Sequence, residues 1–131
     1  MKTTAPATRA SDRGHDDPPD IATMRETVAI LLEPDASPGV LPPSGTELET
    51  LTATLRGHIE VLIPEVQKAA GKLKKTTVTR QEALSCAWEA RSRLHADPNS
   101  GYGGTLGHAR RLARSLNALC NYVERLGGER S

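Results

Sequence analysis

Apolar residues recur along this chain at steps of three and four, the spacing of one face of an α-helix, and nowhere alternate as strands do. Ile21, Met24, Val28, Leu31 and Leu32 form the first such stripe. Asp20 stands where an N-cap belongs, and Pro34 ends the run. A longer stripe, Leu48, Leu51, Leu55, Ile59, Leu62, Val66, Ala69 and Leu73, predicts a helix from Ser44 to about Lys74. Pro64 interrupts it; because the stripe resumes in phase, a kink fits better than a break. Thr79-x-x-Glu82 has the form of a capping box, opening a helix to about His95 with Ala83, Leu84, Ala87, Ala90 and Leu94 inward. Thr105 is the expected cap of the last helix, whose stripe is Ala109, Leu112, Leu116, Leu119, Val123 and Leu126, and Gly127-Gly128 the expected stop.

The pattern predicts an all-α protein, an up-and-down bundle of four helices over residues 20–127. Residues 1–19, with alanine as their main apolar content, are expected to form a disordered tail, and 128–131 a disordered C-terminus. Residues 34–43 hold four prolines and a glycine and read as a stiff linker.

Composition sharpens this picture by exclusion. Only 2% of the 131 residues are aromatic (Trp88, Tyr102, Tyr122), too few for a base-stacking platform and unusual for an all-β domain. The formal net charge of +1 conceals a division. Residues 1–67 carry five basic and eleven acidic side chains, net −6; residues 68–131 carry twelve and five, net +7. Pairing between the halves within one bundle is the simplest consequence. No apolar segment follows the charged N-terminus as a signal peptide requires, and no stretch is apolar enough to span a membrane, so a cytoplasmic location is expected. Cys86 and Cys120 sit within apolar helical patterns and read as small core residues; a disulfide between facing helices stays open.

Candidate chemistry is sparse. The four histidines (15, 58, 95, 108) never stand three or four apart, and no Cys-x-x-Cys or Gly-x-Ser-x-Gly occurs, so neither a metal nor a cofactor is expected. The glycine-rich run Gly101–Gly107 has Leu106 in the third-glycine slot of a nucleotide loop and no strand before it; a hinge between helices is the simpler reading. Helical angles place His58 and Glu65 on one flank of the long stripe, His108 on a flank of the last, and Arg91 inside the apolar sector of the third helix. Together they would make a polar cluster at a bundle seam, either fixing register or supplying an acid–base pair. Arg110, Arg111 and Arg114, continued by Asn117 and Asn121, form a basic helix face, either solvated or lying against phosphates.

Two segments are more specific in wording. Glu47-Leu48-Glu49-Thr50-Leu51 leading into Leu55-Arg56-Gly57-His58-Ile59 and Leu62-Ile63-Pro64-Glu65-Val66 is one, and Gly107-His108-Ala109-Arg110-Arg111-Leu112-Ala113-Arg114-Ser115-Leu116-Asn117-Ala118-Leu119-Cys120 the other. With Glu89-Ala90-Arg91, they resemble a family of small actinobacterial proteins of unknown function, domain of unknown function 6415, often labelled "natural product biosynthesis protein". The resemblance implies a helical domain and a link to specialised metabolism, and it supplies no catalytic residues.

The expectation is a non-enzymatic interaction or regulatory accessory protein with a protein partner or a second copy of itself, since the long helix exceeds its expected neighbours. The alternatives are a nucleic-acid-binding protein using Arg110, Arg111 and Arg114, and a small-molecule or catalytic site at His58, Glu65, Arg91 and His108.

Overall fold

The structure, a computed structural model, describes residues 19–32, 41–99 and 103–130, the last three as backbone only. The expected tail, apart from residue 19, and most of the proline-rich linker lie outside the described residues. Four helices and no strand are found among the described residues: α1 Ile21–Leu32, α2 Gly45–Gly71, α3 Val78–Leu94 and α4 Gly104–Arg130.

Each helix start has its own cause. Asp20 caps α1 as its position predicts: one carboxylate oxygen accepts the Thr23 amide at 3.1 Å and the other the Thr23 hydroxyl at 2.7 Å. For α3 the cap is Thr77, not Thr79, and its hydroxyl turns back to the Lys74 carbonyl at 2.8 Å. Counting from Thr77, the third residue is Arg80, so the expected capping box with Glu82 does not form. α4 opens on two glycines with left-handed backbones, Gly103 (φ 88°) and Gly104 (φ 61°). A Cβ on Gly103 would lie 3.0 Å from the Gly107 backbone, whose amide bonds the Gly103 carbonyl at 3.0 Å. The glycine-rich run is therefore, in its described part, a helix-start device.

α2 runs unbroken through Pro64. The proline ring is exposed while Leu62, Ile63 and Val66 around it are buried, so the missing amide falls on the solvent side and packing keeps the helix continuous. α4 likewise continues past Gly127-Gly128 to Arg130, so the expected helix stop at the two glycines does not occur. Leu126, 2% exposed, anchors that last stretch, and a glycine in a helix costs only about 1 kcal/mol relative to alanine.

The core lies where the stripes predict it. Leu55, Ile59, Leu62 and Val66 of α2 meet Leu112, Leu116 and Leu119 of α4, all fully buried. Fully burying a leucine or isoleucine contributes about 1.5–3 kcal/mol. α3 presents Ala83, Ala87 and Ala90 with no exposure, a small-residue face that packs on both long helices. α1 lies mainly on α4 and does not reach α3. It runs antiparallel to α4, since Arg25 reaches Asn117, Asn121 and Glu124 while the Leu31 carbonyl meets Arg110. At 27 residues each, α2 and α4 match, so the long helix is not left without an equal neighbour inside the chain.

In urea denaturation Leu116→Ala is expected to lower stability by about 3 kcal/mol through the cavity it leaves. Ala87→Leu is expected to lower it by about 1–3 kcal/mol through overpacking, and Val61→Ala at an exposed position by less than about 0.5 kcal/mol.

Candidate functional site

The parallel course of α2 and α4 brings their amino ends side by side, and a cavity of about 390 Å³ opens between them. One wall is the first three turns of α2, with Leu48, Thr52, Ala53 and Arg56; the other is Thr105 and His108 of α4, with Pro98 of the α3–α4 connection closing one side. The size falls in the range of small-molecule pockets.

His108 is the unusual group in this cavity. It is 2% exposed, and its Nε2 is buried with no hydrogen-bond partner among the described residues. A buried polar atom left unpaired costs about 1–3 kcal/mol. Burial holds the imidazole below its ordinary value of 6.5; Arg111, Arg56 and Arg93 push the same way, and Asp97 opposes them. At neutral pH the ring is therefore uncharged, with one nitrogen a donor and the other an acceptor. The Thr52 hydroxyl is committed to the Leu48 carbonyl at 2.8 Å.

The other three members of the expected polar cluster are placed elsewhere. His58 is half-buried on α2, held below 6.5 by burial and pulled upward by Asp20, the cap of α1. Glu65 is half-buried two turns further along α2 and does not line the cavity. Arg91 is exposed, not inside an apolar sector. The buried face of α3 is the narrow row Ala83, Ala87, Ala90 and Leu94, and Arg91, one residue past Ala90, is turned about 100° away from it. Arg111 acts on the His108 imidazole most strongly among the charged side chains, and the cation that shares its cavity is Arg56. Its signal in the sequence was its step of four from Thr52 and eight from Leu48, a second face of α2 flanking the leucine stripe.

The basic face of α4 is divided between two neighbours. Arg110 donates its Nε to the Leu31 carbonyl at 3.3 Å, capping the end of α1. Asn117 and Asn121 accept bonds from Arg25 at 2.9 and 3.0 Å, and Glu124 pairs with the same guanidinium at 2.6 Å. Arg111 and Arg114 turn the other way, lining a cleft of about 160 Å³ with Glu89 and Arg93 of α3. The three arginines and two asparagines thus do not form one open surface. The Arg25–Glu124 pair also joins a basic residue of the acidic half to an acidic residue of the basic half, against the charge division of the sequence.

Cys86 is half-buried and Cys120 buried, both as free thiols, and burial pushes both upward, away from the reactive thiolate. Among the described residues no group of three or more potential metal ligands gathers, and no helix is long and apolar enough to cross a membrane.

Replacing His108 by Leu removes the unpaired nitrogen at similar volume, and thermal or urea unfolding is expected to show a gain of about 1 kcal/mol. A loss larger than that would mean the imidazole is satisfied in solution. Since folding lowers the proton affinity of His108, the unfolded chain binds more protons as pH falls below 6.5. The native protein is therefore expected to lose stability as pH falls from 6.5 through the lowered folded value, and His108→Leu to lose less over that window.

No curated protein and no solved structure matches the chain. A family of unknown function, DUF6415, matches residues 22–128, the four helices that build the core and the cavity, and the chain belongs to that family.

Proposed function

We propose that the protein is a non-enzymatic accessory module that holds a small molecule in the cavity between the amino ends of α2 and α4. The observation that carries this reading is the cavity itself, walled by Leu48, Thr52, Ala53, Arg56, Pro98 and Thr105, with the buried His108 imidazole in its wall. A leucine at 108 is expected to make a more stable bundle, so the imidazole is a polar residue that stability alone does not call for. The two helices that hold it share the largest contact in the fold, which gives the cavity rigid walls. A ligand-holding or regulatory protein agrees with a role beside actinobacterial natural-product biosynthesis in the cytoplasm, a context supported only by the resemblance of the sequence.

The test is a set of neutral probes, phenol, indole and cyclohexanol, titrated into isotopically labelled protein. At least one is expected to shift the His108 ring together with the Thr105 and Ala53 amides, in a single saturable process that His108→Phe abolishes by filling the space. Shifts confined to other surfaces would overturn the reading.

A protein-contact reading is favoured by a separate observation. Trp88, one of three aromatic residues in the chain, is 69% exposed on the outer face of α3, where Val78 at the start of the same helix is 68% exposed. If this face joins two copies, light scattering on concentrated protein gives a dimer that Trp88→Ser returns to monomer; a monomer at every concentration removes the homodimer.

A further inference from the structure

Lysine and arginine are used in different places in this chain. Arginines are spread along it, and two of them tie helices together: Arg25 reaches Asn117 and Glu124, and Arg110 the Leu31 carbonyl. Every lysine after Lys2 falls within residues 68–75, where α2 turns into α3: Lys68, Lys72, Lys74 and Lys75. All four are exposed, and none has an ion-pair partner among the described residues. The turn that carries them is ordered. Leu73 packs against the core, its amide bonds the Ala70 carbonyl at 3.0 Å, and the Lys74 carbonyl accepts both the Thr77 amide at 3.1 Å and the Thr77 hydroxyl at 2.8 Å.

The positive excess at this end of the bundle survives a full count. The four lysines, Arg80 of α3 and Arg125 of α4 stand against Glu65 and Glu82, an excess of four. Glu124 is paired with Arg25, Glu129 and Arg130 cancel in number, and residues 1–18 carry three charges of each sign. The carboxyl ends of α2 and α4 and the amino end of α3 together subtract about half a charge. Other acids on these helices lie beyond the about 8 Å over which charges act at physiological salt. Glu60 is about 12 Å back along α2 from Lys68, and Glu89 about 16 Å along α3 from Val78.

Helix stability does not call for all of these cations. Lys68 and Lys72 suit the negative carboxyl end of α2, but Lys74 and Lys75 precede the positive amino end of α3, where acids are favoured. The first turn of α3 holds no acid, and Arg80 stands three residues after Thr77, where a glutamate would close a capping box.

We propose that the turn between α2 and α3 docks on the phosphate backbone of double-stranded DNA, with Lys68, Lys72, Lys74 and Lys75 each meeting a phosphate and no base read. Ammonium groups on flexible stems bind phosphates as point charges, without the fixed fork of arginine. A duplex carries one negative charge about every 1.7 Å of its axis, dense enough to meet four cations on one turn. Single strands are held by stacking on aromatic rings, which the turn does not offer. Trp88 is about 15 Å along α3 from Val78, and Tyr122 is half-buried with Arg125 over its ring. A bilayer surface calls for an apolar face to bury, and Val78 is the one large apolar side chain exposed beside these lysines among the described residues.

Fluorescence anisotropy with a labelled duplex of about 20 base pairs tests this. The full chain is expected to bind at about 50 mM salt whatever the duplex sequence, and to lose about a hundredfold in affinity by about 200 mM, a log–log slope of about −3.6 for four phosphates. Lys74→Gln with Lys75→Gln is expected to weaken binding at least about tenfold at the lower salt and to halve the slope to about −1.8. That double variant is expected to melt no lower than the parent, since it removes cations from the amino end of α3. Arg114→Gln, on an exposed residue away from the turn, is expected to change neither affinity nor slope. No binding at the lower salt, a slope that the double variant leaves unchanged, or a loss of binding in Arg114→Gln would overturn the proposal. So would a double variant that melts lower, which would assign these lysines to the fold. Tighter binding to a single strand of the same length, or binding to phosphatidylserine-containing vesicles in place of the duplex, would overturn it in favour of those partners.

Discussion

The contact between α2 and α4 is the constraint on which the rest of the structure depends. Leu55, Ile59, Leu62 and Val66 pack with Leu112, Leu116 and Leu119 without any exposure, and every other helix is seated on this pair. α3 covers one side through alanines, and α1 covers α4 on another through Met24, Val28 and Leu31. Because the two long helices run parallel and start at the same end of the bundle, their amino ends cannot avoid each other. A cavity between those amino ends follows from the topology.

What the side chains add is asymmetry. The carboxyl halves of α2 and α4 are closed by Val66, Leu119 and Leu126, whereas their amino ends meet around Ala53, Thr105 and His108, with too little bulk to fill the space. His108 is oriented by α4's own glycine-built start: Gly103 and Gly104, in backbone conformations that side chains resist, set where the first turn begins and hence which residue points inward one turn later. The same register puts Arg110 under the end of α1 and Arg111 toward α3. One helix start thus places both the candidate binding group and the residues that lock the neighbouring helices.

Much of the fold was legible in the spacing of Leu, Ile, Val and Ala. Helical periodicity identifies a buried face from local information alone, and the stripes of α1, α2 and α4 predicted most of the core. The ends were less legible. Thr77 and Thr79 both have the right chemistry for a cap, and the choice between them depends on the turn at Lys74, which spacing does not encode. Gly127-Gly128 reads as a stop by propensity, and the burial of Leu126 overrides it. Of the expected polar cluster, His108 lies in the cavity wall, and His58, Glu65 and Arg91 do not line the cavity. Arg91, Glu65 and His58 were grouped by angle on their own helices, and angle does not say at what height two helices meet.

The sequence by itself determined that the chain is all-α, which faces are apolar, and that the aromatic-poor core is built from aliphatic residues, because each of these is a property of one helix and its immediate neighbours along the chain. Only the tertiary structure decided that Arg56 and His108 line one cavity, that Arg110 and Asn117 are spent on α1, and that the cavity opens between the amino ends of α2 and α4. Those are relations between residues 50 to more than 90 positions apart, set by how helices cross and which heights they share. Such relations depend on the packing of all four helices together.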